Sequence, residues 1–149
     1  MADDHKIKVA IVGYGVIGSR TATAIRLQSD MILSGVADVA TDWRIAQIIS
    51  QGIALFAATA EASAAMEAAG LPTNGLLTDL VESSDIIVDC TPKHRGAENA
   101  ELYRKLKRPF IVQGGEKHDV TGHSFVAETS YSSTIGRSAT RVVSCNTTS

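Results

Sequence analysis

Three glycines, Gly13, Gly15 and Gly18, stand in the segment IVGYGVIGSR (residues 11–20) with the spacing G-x-G-x-x-G. Between a strand and a helix, such a run can hold a phosphate. Gly13 would permit the tight turn, Gly15 the close approach of backbone to a pyrophosphate, and Gly18 close helix–strand packing. The amides around Tyr14, Val16 and Ile17 would face the anion at a helix N-terminus. Asp38 follows Gly18 by 20 residues. A carboxylate there accepts hydrogen bonds from the adenosine ribose hydroxyls and repels a 2′-phosphate. The pattern therefore predicts NAD in preference to NADP, although Arg44 could reach a 2′-phosphate and leaves NADP open. The competing reading is a turn needed only for packing, with Asp38 an ordinary solvated strand end.

A second candidate lies in RVVSCNTTS (141–149). Cys145 follows a β-branched run and precedes small polar residues suited to starting a helix. A thiol so placed has its thiolate stabilised by free amides and the helix dipole. It could attack a carbonyl, with Asn146 or backbone amides holding the oxyanion. Spacing alone favours the simpler alternative, an inert cysteine near a chain end. Cys90, at the end of an apolar run, reads as a packing residue. His118 and His123 lack a third ligand, so no metal site is expected.

These residues need elements to position them. KIKVAIV (6–12), MILSGVAD (31–38), DIIVDCTP (85–92) and PFIVQGG (109–115) read as strands, with brief ones at 53–56 and near Val142. Helices are expected over 16–28, 41–52, 59–70 and 95–107, the first packing through Ile17, Ala24, Ile25 and Leu27. Asp42 or Thr41 would cap the second, and Gly52 and Gly70 would stop the second and third. TDLVES (78–83) would add one short helical turn. Residues 116–140, rich in Ser, Thr and Gly, give no clear pattern. Strands alternating with helices imply βαβ units and a Rossmann-type doubly wound α/β fold with a mostly parallel sheet. Ligands on such sheets sit beyond the carboxyl ends of the strands. That singles out Gly13 to Gly18, Asp38, Cys90 to Pro92, and Gln113 to Glu116.

The bulk properties agree. The chain has 149 residues, 44% hydrophobic and 20% charged, enough for one domain with a core of Val, Ile, Leu and Ala. A formal charge of −2 argues against general nucleic-acid binding. The basic run Arg104, Lys105, Lys107 and Arg108 reads as a solvated helix C-terminus. No apolar run approaches the roughly 18 residues of a membrane span, and MADDHKIKVA has no apolar core of a secretory signal. Two cysteines are too few for a disulfide framework, so a reducing, cytoplasmic setting is expected.

IVGYGVIG (11–18), VDCTPKHRGAEN (88–99), VQGGEKH (112–118) and RVVSCNTTS (141–149) occur in this order. Together they resemble the archaeal (class II) phosphorylating glyceraldehyde-3-phosphate dehydrogenases, from about Ile7 to the last residue. The resemblance implies that Cys145 attacks the aldehyde of glyceraldehyde 3-phosphate to form a thiohemiacetal. Hydride then passes to nicotinamide C4, and inorganic phosphate splits the thioester. It further implies that Ser144 and Asn146 line the substrate position. Gly114 and Gly115 would approach the nicotinamide, and Thr91 and Pro92 the ribose. Two departures stand out. The family often has Asn where this chain has Val12, and Lys-Thr-Arg where it reads Asp38-Val39-Ala40, a change that again favours NAD.

The family's second domain supplies the catalytic histidine, phosphate-binding arginines and most contacts of a homotetramer. None of His5, His94, His118 and His123 matches that histidine. The expectation is a dinucleotide-binding domain over 1–143, with 144–149 the start of a catalytic domain, and a fragment inactive alone in a glycolytic or gluconeogenic enzyme. A free-standing NAD-binding or sensor module is one alternative. The N-terminal half of another two-domain dehydrogenase, such as an aspartate-semialdehyde dehydrogenase or dihydrodipicolinate reductase relative, is the other. The SCNTT element (144–148) separates them, since a module without chemistry has no reason to carry it.

Overall fold

Alternate side chains of the first strand enter two different cores. In the computed structural model, which describes residues 5–113 and 115–143, β1 spans Ile7–Val12. Val9 and Ile11 join one hydrophobic cluster while Ala10 and Val12 join another on the opposite face. A strand buried on both sides has no use for polar alternation, which is why this run reads as continuously apolar.

The elements follow as α1 (Val16–Arg26), β2 (Met31–Asp38), α2 (Trp43–Ser50), β3 (Leu55–Ala57), α3 (Ala60–Ala68), α4 (Leu77–Glu82), β4 (Ile86–Asp89), α5 (Arg95–Lys105) and β5 (Phe110–Val112). A 3-10 turn (His118–Val120), β6 (Ser124–Phe125), α6 (Ala127–Thr134) and β7 (Ala139–Val142) complete the described chain. The seven strands form one sheet in the order β3-β2-β1-β4-β5-β7-β6, and every described pairing is parallel. The chain turns back at β1 and β4, so the crevice between their carboxyl ends is the topological switch point.

The first core gathers Ala22 and Ile25 of α1, Ile45 and Ile48 of α2, and Ala62 and Met66 of α3. The second gathers Leu77, Leu80 and Val81 of α4 with Ala100 and Tyr103 of α5. Each large aliphatic side chain so buried contributes about 1.5–3 kcal/mol. Local chemistry marks the helix ends. The Asp42 carboxylate accepts from the Arg44 amide at 3.0 Å, the Thr59 hydroxyl accepts from Ala62 at 3.1 Å, and Gly52 and Gly70 terminate at φ 70° and 71°.

Three expectations change. The packing face of α1 is Gly18, Ala22 and Ile25, while Ile17 and Leu27 are 49% and 79% exposed and Ala24 also faces outward. The cause is Gly18, whose close contact with the strand end fixes the helix rotation and turns positions 17 and 24 about 100° away. The strand expected over 109–115 ends at Val112, and the one expected from 53 begins at Leu55. The basic run is solvated in part: Arg104, Lys105 and Lys107 are exposed as expected, and Arg108 is half-buried. Arg104 pairs with Glu101 at 2.8 Å and lies 5.5 Å over the Phe110 ring, and Arg108 donates to the Glu82 carbonyl at 2.8 Å. Guanidinium groups at a helix end meet exposed carbonyls, so these side chains tie α5 to its neighbours.

Candidate functional site

The three glycines meet three different surroundings. Gly13 leaves β1 at φ 87°, and a Cβ there would come 3.0 Å from the Thr91 nitrogen. Its own amide donates to the Ala37 carbonyl at 2.8 Å, so the turn is held between the ends of β2 and β4. Gly18 sits in the first turn of α1, where a Cβ would come 1.9 Å from the Gly13 carbonyl oxygen. Around Gly15 there is nothing within 4 Å of that position. The outer glycines are required by contact, whereas the middle one opens onto free space.

That space lies at the start of α1. Gly15 is its N-cap and no side chain caps it, in contrast with Asp42 on α2 and Thr59 on α3. Val16 and Ile17 are exposed at 66% and 49%, so their end of the helix faces outward. Tyr14 is buried in the first core and its amide donates to Asp38, so the expected anion contact falls to the amides of Val16 and Ile17 and not to that of Tyr14. Uncapped amides beside an open glycine suit an oxygen-rich anion such as a pyrophosphate.

Asp38 ends β2 and reaches across to the same turn. Its Oδ2 accepts from the Tyr14 amide at 2.6 Å, and Oδ1 accepts from the amides of Val39 and Ala40 at 2.7 and 2.9 Å. Three backbone donors orient the carboxylate at the crevice edge. Arg44 is paired with Asp42 at the surface, still close enough to feel the Asp38 charge. Its guanidinium is clamped on Asp42 at 2.5 and 3.1 Å, which raises its own pKa and lowers that of Asp42.

On the opposite wall, Asp89 ends β4 almost fully buried. It accepts from the Thr91 amide at 2.9 Å and hydroxyl at 2.5 Å, Asn99 Nδ2 at 2.9 Å and the Tyr103 hydroxyl at 2.6 Å. Burial, and then the Asp89 charge, push the Tyr103 phenol far up, so it remains a donor. Two of these bonds fix Thr91, whose nitrogen lies beside the glycine turn, and Pro92 follows it, exposed. The same surroundings push the Cys90 thiol up to about 12, chiefly by burial. It is therefore a protonated packing residue, as its place in the strand suggests.

After β5, Gln113 is half-buried, Gly115 turns at φ 74°, and Glu116 is buried. Gly114 lies outside the described residues, as do Ser144, Cys145 and Asn146. His118 and His123 take separate partners: Ser124 for the former, Thr140 and Ser133 for the latter. Among the described residues no three His, Cys, Asp or Glu side chains converge. No described helix is long and apolar enough to cross a membrane.

The structure thus brings together the glycine turn, Asp38 and Thr91 at one crevice, with Pro92 exposed just after Thr91. Sequence reasoning missed Asp89 with Asn99 and Tyr103. Its signal was an acid inside an apolar run, followed 10 and 14 residues on by two polar groups one helical turn apart.

No family model matches the chain. Among solved structures, it resembles a probable dehydrogenase from Thermotoga maritima (TM-score 0.51, 18% identity, 73% of this chain and 28% of that one). It likewise resembles GenD2 of gentamicin A biosynthesis, solved with NAD (TM-score 0.52, 17% identity, 73% and 27%). At such identities the likeness establishes the fold, a Rossmann-type one. Sequence similarity goes further. The glyceraldehyde-3-phosphate dehydrogenase of Methanothermobacter thermautotrophicus is 44% identical over 142 residues, 95% of this chain and 42% of the relative. That of Pyrococcus furiosus is 46% identical over 143 residues, 96% and 43%. The chain is therefore a homologue, over nearly its whole length, of archaeal glyceraldehyde-3-phosphate dehydrogenases, and it spans about two fifths of their length.

Proposed function

We propose that this chain is the cofactor-binding domain of a glyceraldehyde-3-phosphate dehydrogenase and that it binds NAD at the β1–β4 crevice. The observation that carries the reading is the division of labour among the glycines: Gly13 and Gly18 are locked by contact while Gly15 leaves room beside an uncapped helix. In this reading the first-turn amides of α1 receive the pyrophosphate, and Asp38, aimed by three backbone donors, accepts from the adenosine ribose. A 2′-phosphate would meet that carboxylate, and to offset it Arg44 would have to leave its surface pair with Asp42. Thr91, Pro92 and Gly115, with Gly114, border the nicotinamide half. NAD supplies the hydride acceptor.

The chemistry is assigned to Cys145 as nucleophile, with Ser144 and Asn146 at the substrate, glyceraldehyde 3-phosphate. Residues 1–143 form the dinucleotide domain and 144–149 open a catalytic domain. The acid–base group belongs to that second domain, so the 149-residue chain alone is expected to give no NADH with aldehyde, NAD and phosphate. In the longer protein the expected assembly is a homotetramer, in the cytoplasm.

Calorimetric titration tests the cofactor assignment. NAD should bind more tightly than NADP, and Asp38→Ala should weaken NAD about tenfold, roughly 1.4 kcal/mol, while narrowing the gap to NADP. Equal or tighter NADP binding by the unmutated chain overturns the preference. Binding of neither overturns the dinucleotide reading.

A further inference from the structure

Two carboxylates are buried at the carboxyl edge of the sheet, and they are satisfied very differently. Asp89 receives four hydrogen bonds. Glu116 is only 3% exposed, yet its Oε1 has no hydrogen-bond partner among the described residues. An apolar side chain would fill such a place at lower cost, since a buried carboxylate without donors is expensive. Something other than packing accounts for a glutamate here.

Its surroundings indicate what. Glu116 lies against the first turn of α5, close enough that a Cβ on Gly96 would come 3.2 Å from Oε1 and 3.3 Å from Cγ. That helix begins at His94, at φ 77°, with no side-chain cap. The carboxylate therefore faces the positive end of an 11-residue helix whose cap residue makes no side-chain bond and whose own first-turn acid, Glu98, is exposed and paired with Arg95. From the other side, Arg141 donates through Nη1 to the Glu116 carbonyl at 2.8 Å and through Nε to Ser124 at 2.6 Å. The chain leaving β5 thus packs against α5 through the Glu116 side chain and is hydrogen-bonded to Arg141 of β7 through its backbone. It also borders β4, whose following residue Thr91 touches the glycine turn.

We propose that Glu116 is a positioning residue for the nicotinamide half of the cofactor. Its buried carboxylate pins the residues after β5, Gln113 and Gly115 among them, to the first turn of α5. The proposal rests on the dinucleotide reading above. It adds that the two halves of the ligand depend on separate supports. Asp38 and the glycine turn hold the adenosine diphosphate half, and Glu116 sets the wall for the rest.

ADP-ribose, which has the adenosine and pyrophosphate of NAD but no nicotinamide, separates the two. Calorimetric titrations of the 149-residue chain and of Glu116→Gln are expected to show NAD binding weakened about tenfold. ADP-ribose should change less than about twofold. Gly96→Ala gives an independent check, because alanine suits a helix better than glycine. Its new methyl would nevertheless come 3.2 Å from Oε1 and 3.3 Å from Cγ, so the carboxylate has to shift on the first turn of α5. The same selective loss is expected there, with the thermal midpoint maintained. Equal losses for both ligands would mean a structural role only and overturn the proposal, as would no loss for either. An unmutated chain that binds neither ligand defeats the dinucleotide reading and this proposal together. One that binds ADP-ribose while the variants lose nothing defeats this proposal alone. If Glu116→Gln does not fold, Gly96→Ala decides the question.

Discussion

A methyl group on residue 18 would come 1.9 Å from the Gly13 carbonyl oxygen, a backbone atom that cannot swing aside. Gly18→Ala therefore has to move α1 away from β1, and about 2–4 kcal/mol of stability should be lost, as measured by urea unfolding. Gly15→Ala is its counterpart. With nothing within 4 Å of the added Cβ, stability should barely change, while NAD affinity should fall because the methyl occupies the proposed pyrophosphate space. If Gly15→Ala bound NAD normally, that space would not be the phosphate site. Asp89 offers a third case. Removing its carboxylate in Asp89→Ala strands the buried Tyr103 hydroxyl and takes a partner from the half-buried Asn99 amide, and a loss of about 3 kcal/mol is expected in the same assay. Cys90 needs no substitution of its own. With its thiol pushed up to about 12, it should react far more slowly with iodoacetamide at neutral pH than a free cysteine, measured in Cys145→Ser.

The β6–α6–β7 segment carries a pH dependence that begins near neutrality, above the range in which Asp42 and Glu61 titrate. His123 is buried between Thr140 and Ser133, and its pKa is lowered by burial first and then by the charges of Arg137 and His118. The folded protein thus binds this proton less readily than the unfolded chain. The imidazole's contribution is complete above the unfolded value of roughly 6.5 and drains away as pH falls from there through the folded value. The thermal midpoint should drop on acidification below that point, and His123→Gln should flatten the drop; an unchanged slope would remove His123 as its source. This segment was the least legible part of the sequence. Its strands are two and four residues long and α6 has no buried residue, so neither periodicity leaves a trace. The remaining strands were legible because burial on both faces made them continuous apolar runs, and the helices because Asp42, Thr59, Gly52 and Gly70 mark their ends locally. In the site, the glycines and Asp38 could be read because their roles follow from spacing within one βαβ unit. The hold of Asp38 on the Tyr14 amide, the Asp89 network and the contact of Glu116 with Gly96 join residues that only the folded sheet brings together.

A sheet of central parallel strands requires cover on both faces, and here the cover is uneven. On the face of the second core, α4 and α5 lie over β4 and β5. On the other face α1, α2 and α3 crowd over β1 to β3, leaving α1 and α6 to flank the strands beyond. Between them Val9, Val88, Ile111, Thr140 and Val142 line an apolar groove of about 400 Å³, with Tyr131 and Ile135 at its rim, 63% and 70% exposed. An apolar depression of this size on so small a domain should take up a hydrophobic dye. The 149-residue chain is expected to enhance 8-anilinonaphthalene-1-sulfonate fluorescence while its circular dichroism stays that of a folded protein, which separates a formed groove from a loosened core. The rim residues give the control, because they are exposed and their loss should not disturb the fold. The paired change Tyr131→Ser and Ile135→Ser should lower the dye signal severalfold with little effect on the unfolding midpoint. Dye binding that survives this pair unchanged would place the accessible apolar surface elsewhere in the molecule.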